Sequence, residues 1–336
     1  MKSLRLFGEN DLRLVEEPRP CPGEGEVLIQ SKSIGICGSD VHWWQKAGIG
    51  DAALSKPLVL GHEFSALVRS GEQAGGSVAV EPAVNCGSCR YCLEGNPNFC
   101  LDLLFAGHDE MDGAFREYLS WPERLLFELP DSLSDAEGAM LEPLGVAIHA
   151  ADLGHIKPGM RVGVFGCGPI GLLLVQMARI MGATQIIATD KLPHRLGAAR
   201  EFGATRVIRS FGGSENQEVW KATEGRGVDV AFEAAGENEA VETAIASAKR
   251  GAQVVLVGIS PDDRTSFQAS IARRKGLTIR ICRRMKHTYP RAIALVEKGL
   301  VDVASLVTHR FSLELYQQAF SLAAQREGLK IVIEIS

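Results

Sequence analysis

The sequence predicts two domains: a mainly β domain built from short strands, and an α/β domain built on a doubly wound parallel sheet. Three observations carry this reading. The chain has 336 residues, of which 46% are apolar and 23% charged. At about 150 residues per domain that is enough material for two packed cores. The first 145 or so residues are short apolar runs broken by Gly, Pro and Asn. From about Ile156 onward, apolar strand-like and helix-like segments alternate with short glycine turns, the rhythm of βαβ units.

Taken in order, residues 27–34 form a strand that alternates at its end, and 77–82 a compact strand stopped by Pro82. Residues 161–165 are an apolar strand, and 170–181 a helix with apolar side chains almost all round. Strands follow at 185–189, 228–232 and 253–257, with a helix-like stretch at 239–250 and another at 289–298. The closing run 330–335 reads as a strand that returns to the first half of the chain. The mainly β domain is therefore expected over 1–147 plus 288–336, and the α/β domain over 148–287.

Composition narrows the function classes. The formal net charge is −5, with no long Lys/Arg run, so neither a nucleic acid nor a membrane surface is expected as a partner. No stretch approaches the roughly 18 uninterrupted apolar residues of a membrane span. The opening Met1–Gly8 is charged and lacks the apolar core of a secretion signal, so a cytoplasmic protein is expected.

Gly166-Cys167-Gly168-Pro169-Ile170-Gly171 follows the strand 161–165, opens the helix after it, and precedes Asp190 at the end of the next strand. A G-x-G-x-x-G in that setting is a Rossmann dinucleotide fingerprint. Gly166 permits the tight turn, Gly168 lets backbone approach a pyrophosphate, and Gly171 lets helix and strand pack closely. With Pro169 and Ile170 they present a helix N-terminus to the anion. Asp190 would accept hydrogen bonds from the ribose hydroxyls and repel a 2′-phosphate, which favours NAD. Lys191 and Arg195 lie close by; one of them is expected beside the adenine, and both could soften the discrimination against NADP.

Four of the eight cysteines fall in one stretch, Cys86-x2-Cys89-x2-Cys92-x7-Cys100. Without a secretion signal, such spacing reads as a metal site rather than a disulfide framework. Four thiolates suit tetrahedral Zn²⁺ with no open position, a site that holds the 86–100 lobe together and does no chemistry. Two other fragments are individually weak: Cys37-Gly38-Ser39-Asp40-Val41-His42 and Gly61-His62-Glu63. Asp40 could equally cap a helix, and His42 could be a surface residue.

Taken together, Gly35-Ile36-Cys37-Gly38-Ser39-Asp40, Gly61-His62-Glu63, the cysteine lobe and the Gly166–Gly171 turn resemble the zinc-dependent medium-chain dehydrogenases, nearly end to end. Val41-His42-Trp43-Trp44, Leu141-Glu142-Pro143-Leu144, Thr288-Tyr289-Pro290 and Thr308-His309-Arg310-Phe311 are similar to the polyol (sorbitol, xylitol) branch. The resemblance implies a GroES-like catalytic domain beside the Rossmann domain. It implies catalytic zinc on Cys37 and His62, with Glu63 as a third ligand or standing behind it, and Glu142 binding the metal or its water. It further implies Ser39 and His42 as a proton relay, and Trp43, Phe105 and Arg284 around the substrate.

Zinc with three protein ligands keeps one position open and makes a bound hydroxyl more acidic, while NAD takes the hydride. The expected activity is oxidation of a secondary alcohol of a polyol or small diol to a ketone, by a homo-oligomer (dimer or tetramer). The alternatives are threonine, butanediol, a cyclitol or a sugar acid as substrate, a metal-dependent lyase or epimerase that retains its NAD, and a non-catalytic zinc protein. Retention of Cys37, His62, Glu63 and Glu142 together argues against the last.

Overall fold

A computed structural model describes residues 1–108, 111–212 and 214–335. The chain forms two compact units: Met1–Glu142 with Tyr289–Gly299 and the segment from Val303 onward, and Pro143–Thr288 with Leu300–Asp302. The division falls inside the helix Leu141–Gly154, a few residues ahead of the expected 147/148.

The first unit is organised by one long strand, Glu26–Gly35. Tyr118–Pro122 pairs with its first half and the C-terminal strand Lys330–Glu334 with its last residues, both antiparallel. The full sheet runs Leu126–Glu128, Ser77–Val80, Glu63–Val68, Glu26–Gly35, Lys330–Glu334, Val307–Ser312, and only the last pair is parallel. The run 330–335 thus returns to the first half of the chain, as its apolar pattern predicts. Its return seals a core that includes Leu4, Leu6, Ile29, Ile34, Phe64 and Phe115. Phe320, on the helix Tyr316–Ala324, meets Phe115 and Trp44 edge-on at 5.6 and 5.7 Å. On the helix that follows Glu142 in sequence by way of the second unit, Tyr289 stacks on Phe127 at 4.6 Å and donates its hydroxyl to the Val80 carbonyl at 2.6 Å.

The second unit is a six-stranded sheet in the order Arg206–Arg209, Gln185–Asp190, Arg161–Phe165, Val228–Glu233, Ala248–Leu256, Thr278–Ile281, and every pair is parallel. This is the 3-2-1-4-5-6 arrangement of a dinucleotide-binding sheet, with its switch point between Arg161–Phe165 and Val228–Glu233. The helix Pro169–Ile180 is buried from Gly171 through Ala178, which explains its apolar residues on every side.

Two expected boundaries differ. Helix 239–250 is in fact Asn238–Ser247, and the next strand starts at Ala248. The Lys275 ammonium ends it by donating to the carbonyls of Ile245, Ala246 and Ala248. Residues 300–302, expected with the β domain, belong to the α/β unit. There the buried Gln176 exchanges two 2.8 Å hydrogen bonds with the Asp302 backbone.

These packing arguments give a graded expectation for the first unit. Phe115→Ala should cost about 3–5 kcal/mol, because it empties a fully buried aromatic site. Tyr289→Phe, which removes one buried hydrogen bond and keeps the ring stack, should cost about 1–2 kcal/mol. Urea unfolding followed by tryptophan fluorescence measures both, and a reversed order would contradict the assignment of the core.

Candidate active site

Strand register builds the metal donor set. Gly35, the last residue of its strand, pairs with Glu63, the first residue of Glu63–Val68. A Cβ at position 35 would lie 2.2 Å from Glu63 Oε2, so only glycine leaves room for the carboxylate. Two residues beyond Gly35, Cys37 caps the helix Gly38–Lys46. The ligand atoms of Cys37, His62 and Glu63 consequently lie within 4.8 Å of one another, with His62 and Glu63 buried.

Asp40 sets the two loops against each other. Its Oδ2 accepts the Cys37 N–H at 2.8 Å, its Oδ1 accepts the Gly61 N–H at 3.1 Å, and Oδ1 lies 3.6 Å from His62 Nδ1. It is therefore both a helix-start residue and the group that orients the histidine. Burial opposes a positive charge on His62, but Asp40 and Cys37 outweigh it and raise its pKa.

The sequence reading missed Lys330. Its ammonium, only 3% exposed, is 2.5 Å from Glu63 Oε2 and 3.2 Å from the Ile36 carbonyl. Burial lowers the pKa of this lysine; Glu63, Cys37 and Glu142 raise it further, so it stays charged. Three carboxyl groups (Asp40, Glu63, Glu142) and the Cys37 thiol thus share this region with the Lys330 ammonium. A divalent cation offsets that excess, and a thiolate, an imidazole and a carboxylate form a donor set suited to zinc with a fourth position left open. The residues fit the metal.

The cysteine lobe fits as well. All eight cysteines are free thiols. Within the lobe, the Sγ–Sγ separations are 3.5 Å (Cys86 to Cys100), 3.6 Å (Cys89 to Cys92), 3.9 Å (Cys89 to Cys100) and 4.0 Å (Cys86 to Cys92). A tetrahedron with Zn–S bonds of about 2.3 Å puts its corners about 3.8 Å apart. Disulfide bonding would require about 2 Å. Backbone N–H groups point at these sulfurs, Cys89 toward Cys86 and Cys86 toward Cys100, each at 3.3 Å. The N–H groups of Ser88 and Cys89 hold the Cys86 thiol down to about 6.

In the second unit the fingerprint is built as its glycines predict. Gly166 has φ +101°, and a Cβ there would lie 2.7 Å from the Ala235 nitrogen. A Cβ on Gly171 would lie 1.9 Å from the Gly166 carbonyl oxygen. At Gly168 the space is open except for the Arg195 guanidinium at 3.7 Å, and Pro169 then starts the helix with Ile170 in its first turn. That leaves a cradle of backbone and one cation for a pyrophosphate. Asp190 is more occupied than expected: Oδ2 accepts the Cys167 N–H at 2.7 Å, and Oδ1 the Leu192 N–H at 2.8 Å. Lys191 is drawn to Glu237 at 2.5 Å and Glu239 at 3.4 Å.

The other expected residues divide. Phe105 tilts against His62 with ring centroids 5.2 Å apart, beside the donors. Ser39 and His42 are on the helix that Cys37 caps, both half-buried. Burial and the charge of Arg326 lower the pKa of His42. Trp43 differs from its expected place at a pocket wall: its indole is 1% exposed, inside the core, and edge-on to His108 at 5.4 Å. Its position on the helix turns it inward while His42 stays at the surface. Glu142 is 5% exposed in the first turn of its helix, and the described residues whose ligand atoms converge within 4.8 Å are Cys37, His62 and Glu63, without Glu142. Arg284 sits in the second unit at φ +52° after the strand Thr278–Ile281.

A thiolate–imidazole–carboxylate site together with a dinucleotide turn defines a metal-dependent oxidoreductase. Residues 23–131 match the alcohol dehydrogenase GroES-like domain, and residues 169–298 match the zinc-binding dehydrogenase domain. Sorbitol dehydrogenase of Bacillus subtilis (strain 168) is 38% identical over 341 residues, covering 99% of this chain and 97% of that protein. L-idonate 5-dehydrogenase of Escherichia coli superposes with a TM-score of 0.92 at 28% identity, over 99% of this chain and 98% of the other. A short chain alcohol dehydrogenase of E. coli CFT073, complexed with NADH, does so with a TM-score of 0.91 at 30% identity, over 100% and 99%. The chain belongs to the zinc-dependent medium-chain dehydrogenases, in the branch that contains the sorbitol dehydrogenases.

The two metal sites separate experimentally. Cys89→Ser should lower zinc content from about two ions per chain to about one and reduce the thermal midpoint, because the lost ion ties a loop. Cys37→Ser should also lose about one ion but with a far smaller drop in midpoint. Elemental analysis beside calorimetry reads both quantities, and equal thermal losses in the two variants would contradict the division of labour.

Proposed function

We propose that this enzyme oxidises a secondary hydroxyl of an open-chain polyol to a ketone, using zinc held by Cys37, His62 and Glu63 and NAD held at the Gly166–Gly171 turn. The observation that carries the reading is the donor trio in which a buried carboxylate and a buried imidazole join a half-buried cysteine sulfur. When bound, zinc supplies a Lewis acid for the substrate oxygen and NAD⁺ supplies the hydride acceptor. The protein's own groups manage everything else. Asp40 fixes the imidazole's orientation, and Lys330 balances Glu63. Phe105 gives the site an apolar wall, and Glu142 adds a second carboxylate at its margin, where it would bind water. The alcohol's carbon gives up a hydride and its oxygen a proton, and the proton leaves by Ser39 and His42. Burial and Arg326 keep that imidazole uncharged near neutral pH and so able to accept a proton.

NAD rather than NADP is supported by the Asp190 carboxylate at the end of its strand and by Lys191, which Glu237 and Glu239 draw away from a 2′-phosphate. Arg195 remains at the turn, over the pyrophosphate cradle. Arg284 would contact the substrate hydroxyls. A sugar acid is the second reading, favoured by the likeness to an L-idonate 5-dehydrogenase. Self-association into a dimer or tetramer is supported by the edge strand Thr278–Ile281, whose Ile281 is 78% exposed. Among the described residues no helix is long and apolar enough to cross a membrane. Eight free thiols suit the reducing environment of the cytoplasm.

The test is reduction of NAD⁺ and NADP⁺ at 340 nm with sorbitol, xylitol, threitol, 2,3-butanediol, threonine, inositol and L-idonate, before and after chelation. Chelator-sensitive activity with NAD⁺ on an open-chain polyol is the expected result. Cys37→Ser should lose at least about a thousandfold in kcat, since a Lewis acid contributes several kcal/mol to the barrier. Preference for L-idonate would establish the sugar-acid reading, and turnover without net NAD reduction would overturn the dehydrogenase mechanism.

A further inference from the structure

The α/β unit buries a carboxylate that the chemistry above does not use. Glu233 ends the strand Val228–Glu233, at the switch point of the sheet, and is 1% exposed. Its Oε1 accepts the N–H groups of Ala235 and Gly236, both at 2.7 Å. Its backbone carbonyl accepts the N–H groups of Val257 and Gly258, at 2.8 and 3.1 Å. Its Oε2 faces the next strand end: a Cβ on Gly258 would stand 2.8 Å from it. One residue therefore joins the turns that follow two neighbouring strands.

The turn it holds supports the fingerprint. Ala234 N–H donates to the Phe165 carbonyl at 2.8 Å, and the 234–235 backbone occupies the space a Cβ on Gly166 would need. The backbones touch with no side chain between them, so the height of one turn sets the height of the other. Burial raises the Glu233 pKa while the N–H groups of Gly236, Ala235 and Gly258 oppose the rise. A buried carboxylate is costly unless donors compensate it, and an apolar side chain of equal size would leave those N–H groups without partners. Satisfying those N–H groups stabilises the fold, and it also fixes the height of the Ala234–Gly236 turn against Gly166.

We propose that Glu233 is a positioning residue for the dinucleotide: by clamping the Ala234–Gly236 turn beneath Gly166, it holds the phosphate-binding turn in its binding-competent shape. The inference rests on the reading of Gly166–Gly171 as a dinucleotide site. If the clamp is lost, the competent turn becomes a fraction of the population and the apparent Kd rises by the inverse of that fraction.

The test is NADH titration of the full-length zinc-loaded enzyme, followed by fluorescence, for wild type, Glu233→Gln and Glu233→Ala. Thermal melts without NADH and zinc content are recorded alongside. Glu233→Ala should weaken NADH binding by about tenfold or more, and the isosteric Glu233→Gln by about threefold, since it keeps one acceptor for Ala235 and Gly236. The loss should fall on KM for NAD⁺ more than on kcat, with zinc content unchanged. A purely structural role would lower the melting midpoint and leave Kd where it was. If the Ala variant does not fold, the Gln variant decides. Kd values within about twofold of wild type overturn the role of Glu233 alone. Failure of the wild type to bind NADH or NADPH overturns the dinucleotide reading itself.

Discussion

The pairing of Gly35 with Glu63 is the contact on which the metal site depends. It brings a strand end and a strand start level, so that Cys37, just past one, meets His62 and Glu63, at the other. A slip of one residue would turn Glu63 to the opposite face of the sheet and separate the donors. The register is secured from outside by Lys330–Glu334, which pairs with the last residues of the same long strand. That late strand adds hydrogen bonds, closes the core, and delivers a buried ammonium to Glu63. Sheet construction and site construction are one event in this unit.

Charge explains why the ammonium is there. A carboxylate buried with Asp40 and Glu142 close by is expensive in a medium of low polarity. Lys330 lowers that cost by donating to Glu63 Oε2 and to the Ile36 carbonyl. The remaining negative excess is a driving force for taking up a divalent cation. Asp40 complements this from the other side: it is satisfied by backbone N–H groups of both loops and orients the imidazole, so the donors are held before any metal arrives.

What the sequence disclosed follows from the range of each interaction. The four cysteines lie within fifteen residues, and the fingerprint within six, so their spacing alone conveys geometry. Alternation and strand–helix rhythm disclosed the mainly β half, the parallel sheet and the existence of the last strand, whereas its pairing with Glu26–Gly35 came from the structure. Lys330 gave no such signal: it opens an apolar strand nearly 270 residues from Glu63, and any exposed lysine at a strand end would look the same. Trp43 misled because neighbouring helix positions differ by about 100° in direction, enough to turn an indole from a surface to a core. Glu142 and Glu63 are both buried acids near the donors, and only the register of the sheet distinguishes the one that converges from the one that stands off.

Glu63 and Glu233 show two solutions to one physical problem. Both are carboxylates at strand ends, both at most 2% exposed. The first is balanced by the buried ammonium of Lys330 and stands among the donors able to engage a cation. The second is balanced by backbone N–H groups in tight turns, which are fixed donors. A group that must hold other backbone still is better compensated by that backbone itself. On the roles proposed above, the mode of compensation, more than the residue type or its burial, separates the carboxylate assigned to the chemistry from the one assigned to shaping the surface on which the cofactor would rest.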